Sequence, residues 1–176
     1  MANIVYIATS LDGYIADKNE GLDWLNTYPN PEGSDFGFGE FIAGIDALVM
    51  GRKTYEMVAS FGGEWPYPVP VFVLTRSLNE VPPTLTDKVE FIQGEPAEVV
   101  RQLKARGFEN LYIDGGVTIQ NFLAADLIDE LIISRLPILL GGGFPLFGEL
   151  AEPLAFQHVE TEALSNGMTK SRYVRA

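Results

Sequence analysis

The sequence contains no cysteine and only one histidine, His158, among its 176 residues. The missing thiols exclude disulfide bonds, cysteine-ligated zinc, iron–sulfur clusters and thiol nucleophiles. One histidine cannot form a histidine metal cluster, and it disfavours a Ser–His–Asp triad. His158 lies in a segment where polar and apolar residues alternate, as in an edge strand. It is interpreted as an exposed structural residue rather than as a catalytic acid. No metal site is therefore expected.

Positive charge is also scarce, with 12 basic against 24 acidic residues and a formal net charge of −12. Arg52-Lys53 is the only adjacent basic pair, which disfavours nucleic acid and anionic membranes as partners. The most apolar stretch, 131–147, is broken by charge, proline and glycine and is too short to span a membrane. The N-terminus lacks the basic start of a signal peptide. We expect a single cytoplasmic domain over residues 1–176.

Short apolar runs alternate with helical patterns through the first three quarters of the chain, which is typical of βαβ units and a mostly parallel sheet. Strands are predicted at 4–8, 47–50, 69–74, 89–92, 111–113 and 130–136. Helices are predicted at 38–45, 96–106 and 117–125. The polar stretch 26–37 is predicted to be a surface loop.

The C-terminal part has a different pattern. Two alternating segments, 157–163 and 168–175, flank Ser165-Asn166-Gly167, a hairpin turn signal because Asn and Gly tolerate positive φ. The predicted fold is therefore α/β, with a mixed, mostly parallel sheet flanked by helices and a C-terminal antiparallel hairpin.

Three predicted strands end in segments that suit a bound phosphate: Gly51-Arg52-Lys53-Thr54, Thr75-Arg76-Ser77 and Gly115-Gly116-Val117-Thr118. Each alone is equally a tight turn. Together they lie at the carboxyl ends of strands, where open α/β sheets bind ligands, and two carry an arginine. This combination indicates a dinucleotide with an extra phosphate. No G-x-G-x-x-G follows a strand and no P-loop motif occurs, which disfavours a Rossmann domain and a P-loop kinase.

Several motifs together resemble those of one enzyme superfamily. They are Thr9 to Ala16 (TSLDGYIA), Gly51 to Tyr55 (GRKTY), Asp114-Gly115-Gly116, Asp129-Glu130-Leu131, Pro137 to Gly141 (PILLG) and Gly143 to Phe147 (GFPLF). The chain resembles the dihydrofolate reductase superfamily, and more closely the branch related to the reductase domain of the riboflavin-biosynthesis deaminase-reductase. The resemblance covers essentially the whole chain in order.

The resemblance implies an NADPH-binding reductase, and it assigns cofactor roles to matching residues. The first loop would cover the nicotinamide, with Ala8 before it and Asp12, Gly13, Tyr14 and Ile15 within it. Asp12-Gly13 is equally a turn signature. Gly51, Arg52, Lys53 and Thr54 would hold phosphates, whereas Thr75, Arg76 and Ser77 would lie near the adenosine 2′-phosphate. Gly115, Gly116, Val117 and Thr118 would let a helix start approach the pyrophosphate.

The sequence departs from the pattern of the family it resembles at the expected catalytic acid. Folate reductases carry it shortly after a Trp-x-x-Pro pattern, but here Leu25-Asn26-Thr27 follow Trp24. Asp35 is the best substitute, and a helix cap or loop carboxylate is an equal interpretation. Riboflavin-type reductases usually place a lysine in the first strand, where this chain has Tyr6. Val117 stands where folate reductases often have an arginine.

The first functional hypothesis is an NADPH-dependent reductase acting on a small planar heterocycle, pterin-like or pyrimidine-like, or on a conjugated C=N or C=O group. The alternatives are a 5-amino-6-(5-phosphoribosylamino)uracil reductase and a non-catalytic nucleotide-binding module. A homodimer is expected, because the apolar segment 136–147 and the final hairpin offer an edge that proteins usually cover.

Overall fold

The computed structural model describes residues 2–176, in which eight strands form one sheet. These strands are β1 (Ala2–Thr9), β3 (Ala47–Gly51), β4 (Val71–Leu74), β5 (Val89–Ile92), β6 (Asn110–Asp114), β7 (Glu130–Arg135), β9 (Phe156–Ala163) and β10 (Thr169–Arg175). Their order across the sheet is β5-β4-β3-β6-β1-β7-β10-β9. The first six in chain order pair in parallel, while β10 runs antiparallel to both β7 and β9.

Two very short strands form a separate ribbon, β2 (Tyr14–Ala16) with β8 (Phe144–Pro145). The helices are α1 (Asp23–Asn26), α2 (Phe38–Ala43), α3 (Arg52–Ser60), α4 (Pro96–Ala105) and α5 (Gly116–Ala124), and a 3₁₀ turn spans Pro83–Leu85. Helix α4 begins with proline at its first position, where the missing N–H has no intrahelical partner to lose.

The sheet is covered on both faces, because side chains alternate along each buried strand. Val49 of β3 packs on the α4 and α5 side with Leu103 and Phe122. Its neighbours Leu48 and Met50 pack on the other side, in a cluster that includes residues of α2 and α3. The central strand β3 is fully buried over Ala47–Met50, which explains its uninterrupted apolar sequence.

The predicted α/β class, the mostly parallel sheet and the C-terminal hairpin are confirmed. The hairpin turns at residues 164–168, where Gly167 has a φ of +90°. The sequence patterns did not predict the one-turn helix α1 or the β2–β8 ribbon. Within residues 2–176, no helix is long and apolar enough to cross a membrane.

Candidate functional site

The two glycine-led junctions lie side by side, because β3 and β6 are parallel neighbours. A Cβ added to Gly51 would stand 2.8 Å from Thr118 Oγ1, and one added to Gly115 would stand 2.6 Å from Thr54 Oγ1. Each glycine therefore faces the threonine of the other junction. This close contact leaves the first turns of α3 and α5 next to each other at the carboxyl edge of the sheet.

Both helices begin without a side-chain cap, so the N–H groups of their first turns are available to an anion. Neither helix has an acidic residue in its first turn, and α3 instead starts with Arg52 and Lys53. The helix dipole disfavours cations at this end by about 0.3–1 kcal/mol each. Such a local violation of helix preferences is typical of a functional site. The paired helix starts therefore fit a diphosphate.

Each basic residue at the strand ends forms a salt bridge with a glutamate on the protein surface. The pairs are Arg52 with Glu56, Lys53 with Glu20, and Arg76 with Glu95, at nitrogen–oxygen distances of 3.7–3.8 Å. All of these side chains are substantially exposed, so each pair contributes at most about 1 kcal/mol. An incoming phosphate can therefore replace the glutamates as partner of these cations.

The third junction, after β4, lies one strand beyond β3. Thr75 is buried and its Oγ1 accepts hydrogen bonds from the N–H groups of Ser77 (3.2 Å) and Leu78 (3.1 Å). Thr75 thus shapes the turn, while the Arg76 side chain extends into solvent. The turn positions Arg76 without immobilising it.

The first loop is tied to the segment after β7 through Asp12. Its carboxylate accepts hydrogen bonds from Ser10 Oγ (2.5 Å), Leu140 N (3.1 Å) and Gly141 N (2.9 Å). These bonds, the one from Ser10 foremost, hold the pKa of Asp12 below its ordinary value. The same loop reaches α5, since a Cβ on Gly116 would stand 2.7 Å from Ile15 Cδ1. Asp12 therefore holds the loop beside the paired helix starts.

A cavity of about 120 Å³ opens on the α2 side of β1. It is lined by Tyr6, Ile7, Ala8, Leu25, Tyr28, Asp35, Phe36, Ser134 and Met168. Behind it, the ring of Tyr6 stacks on Phe41 at 4.5 Å, and Phe41 meets Tyr112 edge-on at 5.1 Å. The largely apolar and aromatic walls suit a small flat molecule.

Asp35 lies at this cavity, as a substrate-facing carboxylate should. Its oxygens accept hydrogen bonds from Gly37 N (2.9 Å) and Gly39 N (3.0 Å), at the start of α2. These bonds, with the charge of Lys170, lower the pKa of Asp35. An Asp with a lowered pKa is ionised at neutral pH, so its surroundings do not support the predicted role of proton donor. The contacts match the alternative of a carboxylate at a helix start.

Two donors fix the carbonyl group of Phe36 in the cavity wall. Tyr6 Oη donates to Phe36 O at 2.7 Å, and Lys170 Nζ donates to the same oxygen at 2.8 Å. Phe36 has a φ of +56°, which a bulky residue rarely adopts. Burial, with the charge of Asp35, raises the pKa of Tyr6 to about 12, so the hydroxyl remains a donor.

Asp114 is a candidate site residue that the sequence motifs did not single out, because they pointed to the two glycines that follow it. It ends β6 two residues after Tyr112 and therefore lies on the same face of the sheet. Tyr112 Oη donates to Tyr6 O at 3.1 Å, which joins this strand to the cavity. Burial raises the pKa of Asp114 to about 6. The available signal was a carboxylate directly after an apolar strand and before Gly-Gly.

Comparison with known proteins decides the family. The model of the RibD C-terminal domain matches residues 3–170. The chain belongs to this family. The uncharacterized Bacillus subtilis protein YwjB is 35% identical over 176 residues, covering 98% of this chain and 97% of YwjB.

Solved structures agree with this membership. A crystal structure from Shewanella sp. PV-4 superposes with a TM-score of 0.96 at 55% identity, covering 100% of this chain and 99% of that one. The deaminase/reductase of Thermotoga maritima gives a TM-score of 0.76 at 16% identity, covering 99% of this chain and 56% of that one. The second match bears on the fold alone. The resemblance to the reductase branch, drawn from the motifs, is confirmed.

In this RibD-type domain, the residues predicted to bind a cofactor share one edge of the sheet. Residues 51–54 and 115–118 are in contact, residues 75–77 follow the adjacent strand β4, and the loop of residues 12–15 touches α5 through Ile15. Ala8 lines the cavity, and Val117 is 67% exposed in the first turn of α5. Their roles toward a cofactor stay predictions.

Proposed function

We propose that this protein is an NADPH-dependent reductase that transfers hydride to a small planar heterocycle or a conjugated C=N or C=O group. The observation that carries the proposal is the pair of uncapped helix starts in contact through Gly51 and Gly115, with two cations in the first turn of α3. Membership of a reductase-domain family supports it. So does 55% identity to the Shewanella protein, which is named for riboflavin biosynthesis.

The residues present fit a dinucleotide. A side chain at Gly51 or Gly115 would displace Thr118 or Thr54, so both glycines let the two helix starts approach each other closely enough to share one diphosphate. Arg52 and Lys53 would neutralise it, and Arg76 would pair with a 2′-phosphate by its fork geometry. Ala8 and the Asp12 loop would border the nicotinamide. NADPH supplies the hydride when bound, so this chain needs to orient the substrate, exclude water and deliver a proton.

The cavity favours a flat substrate with N–H donors. Its aromatic and aliphatic walls exclude water, whereas the ionised Asp35 offers an acceptor at one side. A carboxylate pairs well with adjacent N–H groups, such as those of an aminopyrimidine or a pterin. We therefore assign Asp35 to substrate orientation.

Asp114 is the proposed proton donor. A carboxyl group with a pKa near 6 retains its proton at mildly acidic pH and remains a competent acid close to neutrality. It lies on the sheet face of Tyr112, at the carboxyl end of the strand that leads into α5, and does not itself line the cavity. Its proton would go to the substrate atom that gains negative charge as hydride arrives.

A riboflavin-type uracil reductase is the second candidate, and one contact favours it. Lys170 Nζ lies 5.2 Å from the centre of the Tyr6 ring. Strand β10 thus brings a cation to the position where those reductases usually carry a first-strand lysine. Oxidation of NADPH with 5-amino-6-(5-phosphoribosylamino)uracil as the substrate would distinguish this candidate from the first.

The test is NADPH oxidation over pH 5.5–8 with dihydropterins, aminouracils and cyclic imines as substrates. We expect kcat/KM to fall as pH rises above about 6, because Asp114 then loses its proton. Asp114→Asn should lower kcat by about 100-fold or more, and Asp35→Asn should mainly raise KM.

The matched control is Asp46→Asn. Asp46 accepts from Glu109 N (3.0 Å) and Asn110 N (2.8 Å) at the opposite end of β6, away from the cavity. The Asp46→Asn variant should have the kcat and KM of the wild-type protein. An unchanged rate and pH profile in Asp114→Asn would remove that residue as donor. NADPH binding without turnover of any substrate would instead favour the non-catalytic module.

A further inference from the structure

Arg76 and Glu95 form a charge pair at the carboxyl edge of the sheet. Arg76 follows β4 and Glu95 follows β5, two parallel neighbours whose ends are in register at Leu74 and Ile92. Arg76 Nη2 lies 3.7 Å from Glu95 Oε1, and the two side chains are 80% and 81% exposed. The pair therefore stands in solvent beside the proposed cofactor site.

The Glu95 side chain does not cap helix α4, although Glu95 occupies its N-cap position. A second carboxylate, Glu98, lies over the same turn, since a Cβ on Gly94 would be 3.1 Å from its Oε2. The acid that pairs with Arg76 thus has a second acid on the same helix turn, and the local charge does not favour a dianion strongly.

The two side chains of the pair suit different riboses. A guanidinium binds a 2′-phosphate, whereas a carboxylate repels that phosphate and accepts a hydrogen bond from a 2′-hydroxyl. We propose that the Arg76–Glu95 pair lets this site accept both NADPH and NADH, with Glu95 limiting the preference for NADPH. The proposal rests on the proposed dinucleotide-dependent function.

The geometry allows Arg76 to change partners. A pair this exposed is held by less than about 1 kcal/mol, so a phosphate can displace the carboxylate. A neighbouring pair is different: Arg106 Nη1 lies 2.5 Å from Glu90 Oε2, and its guanidinium stacks over Phe72 at 5.0 Å. That pair is fixed by packing, and Glu90 provides a control.

The experiment measures the dissociation constants of NADPH and NADH by quenching of tryptophan fluorescence. Wild type, Glu95→Gln, Arg76→Gln and the control Glu90→Gln are compared at low and at high salt. We expect a wild-type preference for NADPH below about tenfold. Glu95→Gln should tighten NADPH about three- to fivefold without tightening NADH, because one nearby negative charge is removed.

Two further outcomes support the proposal. Arg76→Gln should abolish the preference, and the effect of Glu95→Gln should shrink as salt shortens the Debye length from about 10 Å at 0.1 M. An NADPH/NADH ratio in Glu95→Gln equal to that in Glu90→Gln would overturn the inference alone. No binding of either cofactor by wild type would overturn the proposed function and this inference with it.

Discussion

Gly115 connects the buried end of β6 to the first turn of α5 and carries two constraints at once. Its φ is +95°, a region that residues with a side chain rarely adopt. Its missing Cβ also leaves room for Thr54 Oγ1, at 2.6 Å from the position of that atom. The contact between the two helix starts depends on this residue.

Gly115→Ala should therefore lower the free energy of unfolding by about 2–3 kcal/mol, from backbone strain and from displacement of Thr54. It should also weaken NADPH binding. Gly107→Ala is the matched control, because Gly107 has a φ of +93° but open space around its Cβ position. It should cost only about 1 kcal/mol. Denaturant unfolding of both variants provides the comparison, and equal losses would contradict the contact argued here.

Asp35 and Asp114 show what residue type alone does not predict. Asp35 lies two residues before Gly37 and Asp114 directly before Gly115, yet backbone N–H groups lower the pKa of Asp35 while burial raises that of Asp114. Asp35, the substitute acid chosen from the sequence, lines the cavity, and its role toward a substrate stays a prediction. The direction of each pKa shift depends on contacts made across the fold, which the sequence does not display.

At the scale of elements, the strands of the main sheet were predictable and the short ribbon was not. Apolar runs such as Val89–Ile92 have their own signal. In contrast, β8 comprises only Phe144 and Pro145, both exposed, and exists through its pairing with β2. Asp12 strengthens this long-range pairing by binding Leu140 N and Gly141 N. A three-residue strand with no apolar alternation gives the sequence pattern nothing to detect.

Asp12→Ala should accordingly release the first loop from the segment after β7. The amides of Leu140 and Gly141 should exchange with solvent faster, and NADPH affinity should fall several-fold because the loop must be ordered on binding. Asp17→Ala is the control, since the Asp17 carboxylate accepts hydrogen bonds from Asn19 N and Gly21 N within its own turn. Hydrogen–deuterium exchange measures the protection of these amides in both variants. Unchanged protection of residues 140–141 in Asp12→Ala would refute this role.

At the scale of the whole molecule, the net charge of −12 disfavours binding of an anionic cofactor. An acidic protein that binds a polyanion must concentrate its cations, and three of its 12 lie at adjacent strand ends. The homodimer and the cytoplasmic location stay predictions. The edge strand β9 carries a bulge at Val159, a feature that discourages open-ended strand pairing.

The central claim is that the paired starts of α3 and α5 bind NADPH, and thermal unfolding with added cofactor tests it most directly. Ligand at about 100 times its dissociation constant stabilises the folded state by about 2.7 kcal/mol. For a chain of this length that corresponds to a rise in Tm of about 5–10 °C. We predict such a rise with NADPH and a smaller one with NADH at equal concentration. No shift with millimolar NADPH would contradict the account.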